Sequence, residues 1–274
     1  MPADLHMHSN LSDGTDTPEA LVDLAAAARL KTIALTDHDL VDGIDRARGR
    51  GSEVGVEVVP AIEFTTDSPR AQVHILGYFI DHQDRELTAV LEEIQADRVK
   101  RIHKIVKKLQ ALGVKIGPED VFNLAANKAP GRPHVALALV KLGEVSSFKE
   151  AFNRYLEDGG PAYVPHYQLK PAEVIKLVQR TGGLAVFAHP RISNCDEMIP
   201  QLVAEGLRGI EAYYTGYSPE EIARYVGLAK KQGLLVTGGS DYHGSGCGRE
   251  IKLGEVTLPD EYVEALKNEH LRGN

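Results

Sequence analysis

Seven short apolar stretches recur along the chain, and most of them run out into histidines or acids. They are "ADLHMHS", "KTIALTDHD", "VEVVPAIEFTTD", "AQVHILGYFI", "GLAVFAHP", "LRGIEAYY" and "LLVTGGSDYH". Amphipathic stretches such as "PEALVDLAAAARL", "PAEVIKLVQRTG" and "SPEEIARYVGLAKKQG" separate most of them. Repeated strand–helix units predict an α/β fold with a parallel sheet, open or closed as a barrel. A hydrophobic strand has no packing reason to end in a titratable residue. In barrels, however, chemistry sits at the C-terminal ends of the strands. The same pattern therefore constrains the fold and the site.

One block breaks the alternation. Between "IDHQD" and "EDGGPAY" there is almost no strand signal, and a long charged helical stretch runs from Asp84 to Gly113. We expect residues 83–161 to form a helical insertion domain, with 1–82 and 162–274 forming the barrel domain. The basic run at 98–108 presents Lys100, Lys104, Lys107 and Lys108, with Arg101 nearby. Spacings of three and four place much of this charge on one helix face. A solvated face is the expectation, and a guide for an RNA tail is the functional alternative.

The first strand carries "DLHMHSNLSDGTDTP". Strand side chains alternate with period two, so His6 and His8 share a face while Leu5 and Met7 pack on the other. Asp13 and Gly14 form a turn that can fold the carboxylate back over the strand end. Asp16 or Thr17 is then the N-cap of a helix with Pro18 at its first position. Further strand ends add His38 within "TDHD", Glu63, His74, His189 in "AHP", Glu211, and Asp241 with His243 in "GSDYH". Six of the eleven histidines thus fall at such positions. Clustered imidazoles and carboxylates are the ligand set that transition metals require. Asp13, Glu63 and Asp241 with six imidazoles would hold more than one divalent ion. Mixed nitrogen and oxygen ligands suit manganese, iron or zinc better than magnesium, and two or three ions, manganese first, are expected. Such a cluster binds phosphate and generates hydroxide near neutral pH.

Composition narrows the partners. The formal charge of −8 argues against broad non-specific nucleic-acid binding. Cys195 and Cys247 are the only cysteines, so no disulfide framework is expected. There is no apolar run of membrane-spanning length, and the motif at Asp4 leaves no room for a signal peptide. A soluble, cytoplasmic protein is expected, with no membrane and no stable protein partner inferable. Cys247 is expected to be a bystander, and His82, His103 and His270 belong to no constellation.

The order "DLHMHSNLSDGT", "LTDHD", Glu63, His74, "AHP" and "GSDYHG" resembles the PHP family, the polymerase and histidinol phosphatase domain, over nearly the whole chain. The resemblance implies a distorted (β/α)7 TIM-like barrel with two or three metals. It implies one ion at His6, His8, Glu63 and Asp241, and a second at Asp13, His38 and His243. Glu63 would bridge to a third ion, held by His74 and His189. Asp37 and Asp39 would support catalysis by orienting ligand imidazoles.

Within the family, "GRPHVALALVKLG" and "YVPHY" resemble the branch of 3′,5′-nucleoside bisphosphate phosphatases and 5′-to-3′ exoribonucleases of the RNase AM type. The resemblance implies that Arg132 and His134 contact substrate. Arg132 would clamp a phosphate bidentately. His134 would bind phosphate or give a proton to the leaving oxygen. Pro133 after Arg132 also reads as a helix start, which itself attracts phosphate. His166 is a further substrate contact by the same resemblance. Two positions depart from the branch: Tyr217 stands where relatives often carry a Gly-His pair, and Arg191, a candidate substrate contact, lacks the usual following glycine. The expected reaction is metal-hydroxide hydrolysis of the 3′-phosphate of a nucleoside bisphosphate, and of short 5′-phosphorylated RNA. The alternatives are a histidinol-phosphate-type phosphatase and a non-catalytic metal-dependent binding module.

Overall fold

The computed structural model describes residues 2–67, 72–125, 130–165, 169–245 and 251–273. In chain order the elements are β1 (Ala3–Asp4), α1 (Pro18–Ala27), β2 (Thr32–Leu35), α2 (Ile44–Val54), β3 (Glu57–Asp67) and β4 (Gln72–Tyr78). The helices α3 (Arg85–Ala111), α4 (Pro118–Phe122), α5 (Arg132–Lys141) and α6 (Phe148–Ala151) follow, and a π-helical turn (Phe152–Leu156) continues the last. The chain then forms α7 (Pro171–Arg180), β5 (Leu184–Phe187), α8 (Pro190–Ser193), α9 (Ile199–Ala204), β6 (Gly209–Tyr214), α10 (Pro219–Gln232), β7 (Leu235–Gly239) and α11 (Asp260–Gly273).

The seven strands form one sheet in sequence order. The extended chain after β1 bonds to β7 and nearly closes a barrel. Leu5 N donates to Gly238 O at 3.1 Å, Asp241 N to His6 O at 2.9 Å and His8 N to Tyr242 O at 2.8 Å. The approach is close, because a Cβ on Gly239 would lie 2.4 Å from His6 N. Only Ala3–Asp4 form a regular strand in the "ADLHMHS" stretch. Yet His6, His8, Leu5 and Met7 are all fully buried, and Met7 O accepts from Thr36 N of the β2 end at 3.0 Å.

The expectation of a parallel sheet needs one correction. β4 runs antiparallel to both β3 and β5. Its connection to β3 is too short for a crossover, and only a hairpin can follow. The reversal has a consequence for the site: the start of β4 lies at the same end as the C-termini of the other strands. His74 pairs with Thr65 near the end of β3, although it is the third residue of its own strand.

Local signals explain the outer helices. Thr17, rather than Asp16, caps α1: its Oγ1 accepts from Ala20 N at 3.2 Å with Pro18 at the first position. Asp16 instead accepts from the Tyr242 hydroxyl at 3.0 Å. The barrel core gathers Leu5, Ile62, Phe64, Tyr78, Phe187 and Ile210 among others. A separate apolar cluster joins Ile102, Ile105, Leu109, Val135, Leu139 and Leu156 from the helical block, with Val164 just beyond its border. On this separate cluster we propose 83–161 as an inserted domain. No described helix is long and apolar enough to cross a membrane.

Candidate metal centre

The strand ends bring imidazoles and carboxylates to one end of the barrel. Three groups have ligand atoms within 4.8 Å of one another: His6, His8, Glu63 and Asp241; His8, Asp13, His38 and His243; and His38, Glu63 and His74. The first is fully interior and the tightest. Nε2 of His6 lies 3.2 Å from Glu63 Oε2 and 3.3 Å from Asp241 Oδ1. Nε2 of His8 lies 3.1 Å from each of the same two oxygens. Ligands about 2.1 Å from a divalent ion lie about 3.0 Å apart on an octahedral edge and about 3.4 Å apart on a tetrahedral one. The four observed edges fall in that interval. Moreover, both ring nitrogens of His8 are buried without a hydrogen-bonding partner, despite those short distances. Donor atoms converging without hydrogen-bond geometry fit a divalent ion between them.

The second group contains the Asp13, His38 and His243 that the resemblance implies and adds His8, and the third sets His38 beside Glu63 and His74. Asp13 Oδ1 lies 3.4 Å from His243 Nε2 and 3.8 Å from His8 Nδ1, so His8 joins the second group. Glu63 Oε1 lies 2.7 Å from His74 Nδ1, but the third member of that group is His38, whose Nδ1 is 3.4 Å from Glu63 Oε2. His189 lies outside this group. Its Nε2 is nonetheless 3.0 Å from Glu63 Oε1, and its Nδ1 is buried without a partner.

Burial opposes charge on His6 and His8, but the surrounding acids outweigh it. Glu211, Glu63 and Asp241 hold His6 well above the usual imidazole range. Asp241, Glu63 and Asp13 lift His8 to about 10. Burial, with the charges of His8 and His74, pushes His38 down to about 3 against Glu63 and Asp13. Burial also raises Asp13, Glu63 and Asp241, yet the neighbouring imidazoles keep all three well below the carboxylate range. The metal-free centre therefore stores protons on His6 and His8 at neutral pH, and a metal ligand must give its proton up. Manganese binding is expected to release protons and to tighten as pH rises toward about 10, the value for His8. Calorimetry in two buffers of different ionisation enthalpy checks this; identical heats would mean that neither imidazole was protonated.

Asp37 and Asp39 do not hold ligand imidazoles by any described contact. Asp37 accepts from Ser9 N, Ser9 Oγ and Ser12 Oγ, each at 2.7 Å, and so pins the loop that carries Asp13. Asp39 accepts from Thr65 N at 3.1 Å and pairs with Arg98 of α3. Both carboxylates are buried behind these partners. The acid that meets His6 from outside the ligand groups is Glu211, whose Oε1 lies 2.9 Å from His6 Nδ1.

Arg98 of the helical block comes near the cluster, with Nη2 3.5 Å from Thr65 Oγ1, which meets His38 Nδ1 at 3.5 Å. Arg98 and Arg101 are buried on α3, and Nε of Arg98 has no hydrogen-bonding partner. Burial, with the nearby charges of Arg132 and Arg98, pushes Arg101 down to about 10. Arg132 lies over the rings of Tyr163 and Phe152, with its guanidinium carbon 5.4 and 5.9 Å from their centres. Its Nη1 donates to Leu156 O at 3.1 Å and pairs with Asp158. His134 Nδ1 accepts from Gly131 N at 3.2 Å and caps α5. Burial lowers the His134 pKa, and Arg98 lowers it further, against Asp13 and the Ser12 backbone.

Arg191 departs from its expected role. Its Nη1 donates to Gly216 O at 3.1 Å and Glu221 at 2.7 Å, and its guanidinium lies over Tyr217. The described contacts tie it to the loop after β6 rather than to the cluster. His166 and Cys247 lie outside the described residues. Lys100, Lys104 and Lys107 are exposed, and Lys108 donates to Tyr163 O at 2.7 Å. His82 pairs with Asp45, while His103 meets Phe122 and His270 stacks on Phe79.

The PHP domain model matches residues 4–158. The chain is 32% identical to a 3′,5′-nucleoside bisphosphate phosphatase of Chromobacterium violaceum, over 89% of this chain and 88% of that one. It is 33% identical to a 5′-3′ exoribonuclease of Haemophilus influenzae, over 95% of this chain and 96% of that one. It is 32% identical to a phosphoribosyl 1,2-cyclic phosphate 1,2-diphosphodiesterase of Eggerthella lenta, over 89% and 95%. A crystal structure described as a metal-dependent phosphoesterase of Bifidobacterium adolescentis superposes with a TM-score of 0.88 at 32% identity, covering 96% of this chain and 94% of that one.

Proposed function

The chain belongs to the PHP domain family, and from that premise we propose that it hydrolyses the 3′-phosphate of 3′,5′-nucleoside bisphosphates and the equivalent ester of short 5′-phosphorylated RNA. It is a metal-dependent hydrolase of phosphate esters. The finer reading is supported by one observation: buried Arg98 reaches Thr65 Oγ1 at 3.5 Å, the hydroxyl that meets His38 Nδ1 at 3.5 Å, and buried Arg101 lies near both Arg98 and Arg132. Crowded guanidinium groups repel one another, and a phosphate dianion relieves that repulsion while accepting forked hydrogen bonds.

Two or three divalent ions, manganese first, would be held by His6, His8, Asp13, His38, Glu63, His74, His189, Asp241 and His243. When bound, they supply Lewis-acid stabilisation of phosphate charge and a lowered water pKa. The chain's own residues do the rest. Arg132 uses only Nη1 in its contacts among the described residues, so Nη2 and Nε remain for the 5′-phosphate. Its seat on Tyr163 and Phe152 limits its motion. His134 has Nδ1 occupied by the Gly131 N–H, so its ring proton sits on Nε2. Burial lowers its pKa, which favours the neutral ring and a role as hydrogen-bond donor to phosphate over that of acid for the leaving oxygen; its second partner is the Ser12 backbone. The gripped 5′-phosphate provides binding energy that orients the ester at the cluster.

Product analysis tests this. A manganese-loaded preparation should convert a 3′,5′-bisphosphate to the 5′-monophosphate and inorganic phosphate; a 3′-monophosphate product would overturn the orientation. Phosphoribosyl 1,2-cyclic phosphate belongs in the same panel, because the Eggerthella lenta relative matches as well as the others do. Preference for histidinol phosphate would favour that class of phosphatase instead. Arg132→Ala should lose on the order of 2–4 kcal/mol on substrates bearing a second phosphate and little on a generic aryl phosphate. Equal losses on both would make Arg132 a structural residue.

A further inference from the structure

Among the described residues β6 contributes no member to any of the three ligand groups, yet it touches His6 and Asp241 of the first group and the backbone of His189. We propose that β6 is the positioning strand of the centre, with Glu211 and Tyr214 as the positioning residues. The inference rests on reading the cluster as an ion-binding centre.

A β-bulge makes this possible. Glu211 pairs with Thr237 but Tyr213 pairs with Gly238, so β6 carries one extra residue there. Positions 211 and 214 are three apart and would face opposite sides of a regular strand. The extra residue re-phases the alternation and turns both side chains inward. Glu211 and Tyr214 are buried, while Tyr213 turns outward against Tyr262. Gly238 records the crowding, since a Cβ there would lie 2.4 Å from the Tyr213 Cβ.

Glu211 fixes two ligands at once. Its Oε2 accepts from His189 N at 2.8 Å, and its Oε1 faces His6 Nδ1 at 2.9 Å. A carboxylate only accepts, so His6 carries a proton on Nδ1, and metal binding leaves the Nε2 lone pair free. Nε2 is the atom that converges with Glu63 and Asp241. Tyr214 acts on the third strand: its hydroxyl donates to Asp241 Oδ2 at 2.6 Å. That bond turns Oδ1 toward His6 and His8 and favours one-oxygen ligation. Both backbones so held are left-handed, with φ of 27° at His189 and 55° at Asp241. Non-glycine residues persist in that region only where their surroundings impose it. Tyr217 adds a further tie, accepting from Arg191 N at 3.0 Å two residues beyond His189.

The test titrates full-length metal-free protein with manganese and follows free ion by electron paramagnetic resonance. Wild type should bind. Tyr214→Phe and Glu211→Gln should each bind about 10- to 100-fold more weakly. Glutamine keeps the shape but cannot accept from both N–H groups. Tyr213→Phe, on the outer side of the same bulge, should bind as wild type does. Cobalt-loaded Tyr214→Phe should also show an altered visible absorption band, since the Asp241 carboxylate is free to turn. A merely structural role would lower thermal stability and leave the cobalt band of the folded fraction unchanged. If folded Tyr214→Phe and Glu211→Gln bind manganese as tightly as wild type and keep its cobalt band, the inference is overturned. Should one variant fail to fold, the other decides. Wild type that binds no divalent ion would overturn the centre itself, an outcome distinct from the failure of β6.

Discussion

Glu63→Gln is expected to abolish turnover and to strip ions from the centre. Five of the six imidazoles converge on this one carboxylate: His6 at 3.2 Å, His8 at 3.1 Å, His38 at 3.4 Å, His74 at 2.7 Å and His189 at 3.0 Å. Among the described residues, Glu63 is the one carboxylate that belongs to two of the ligand groups. Lewis-acid stabilisation is worth several kcal/mol, and each 1.4 kcal/mol is tenfold in rate, so the loss should be on the order of a thousandfold or more. Metal analysis of the purified variant should find fewer ions per chain than in wild type. The variant should also bind fewer protons when metal-free, because the charge that lifts His8 has gone. A variant with wild-type metal content and rate would remove Glu63 from the centre.

The second large effect is on stability. Arg98 and Asp39 form an ion pair that is almost fully buried, at 7% and 1% exposure. It ties the long helix α3 to the end of β2. Removing one partner leaves the other buried and uncompensated, a loss of about 3–5 kcal/mol. For a chain of this size that is a fall in melting temperature on the order of 6–20 °C. Arg98→Ala should therefore melt much earlier, and Asp39→Ala should do the same. The double variant should lose less than the two single losses added together, because each charge is costly chiefly without its partner. Scanning calorimetry of the four proteins checks it. A melting point for Arg98→Ala within about a degree of wild type would mean that the pair is solvated.

The candidate cluster was legible in the sequence because its residues are local to strand ends. "HMH" has one strand period between its imidazoles, and "SDYH" follows an apolar run, so both announce themselves without knowledge of neighbours. The positions that needed the fold are those set by partners far along the chain. The reversal of β4 exchanges its ends and brings His74, early in its own strand, to 2.7 Å from Glu63 Oε1, the oxygen that His189 meets at 3.0 Å. Glu211 was visible as a strand-end acid, but its role depends on a bulge that exists only in register with β7. Arg98 and Arg101 were hidden inside a basic run. A stricter reading of the period would have separated them: they fall on the stripe Leu91, Ile94, Arg98, Arg101, Ile105 and Leu109, all buried, whereas Lys100, Lys104 and Lys107 face solvent. Asp37 and Asp39 were legible as important but their partners were not, since serines and an arginine from other segments reach them.

The most direct test of the centre is anomalous diffraction from crystals soaked in manganese, recorded on both sides of the manganese absorption edge. A strong peak is expected among His6 Nε2, His8 Nε2, Glu63 Oε2 and Asp241 Oδ1, with at least one further peak beside Asp13 or His74. Crystals of enzyme that is active with manganese, but that place no anomalous scatterer among these residues, would contradict it.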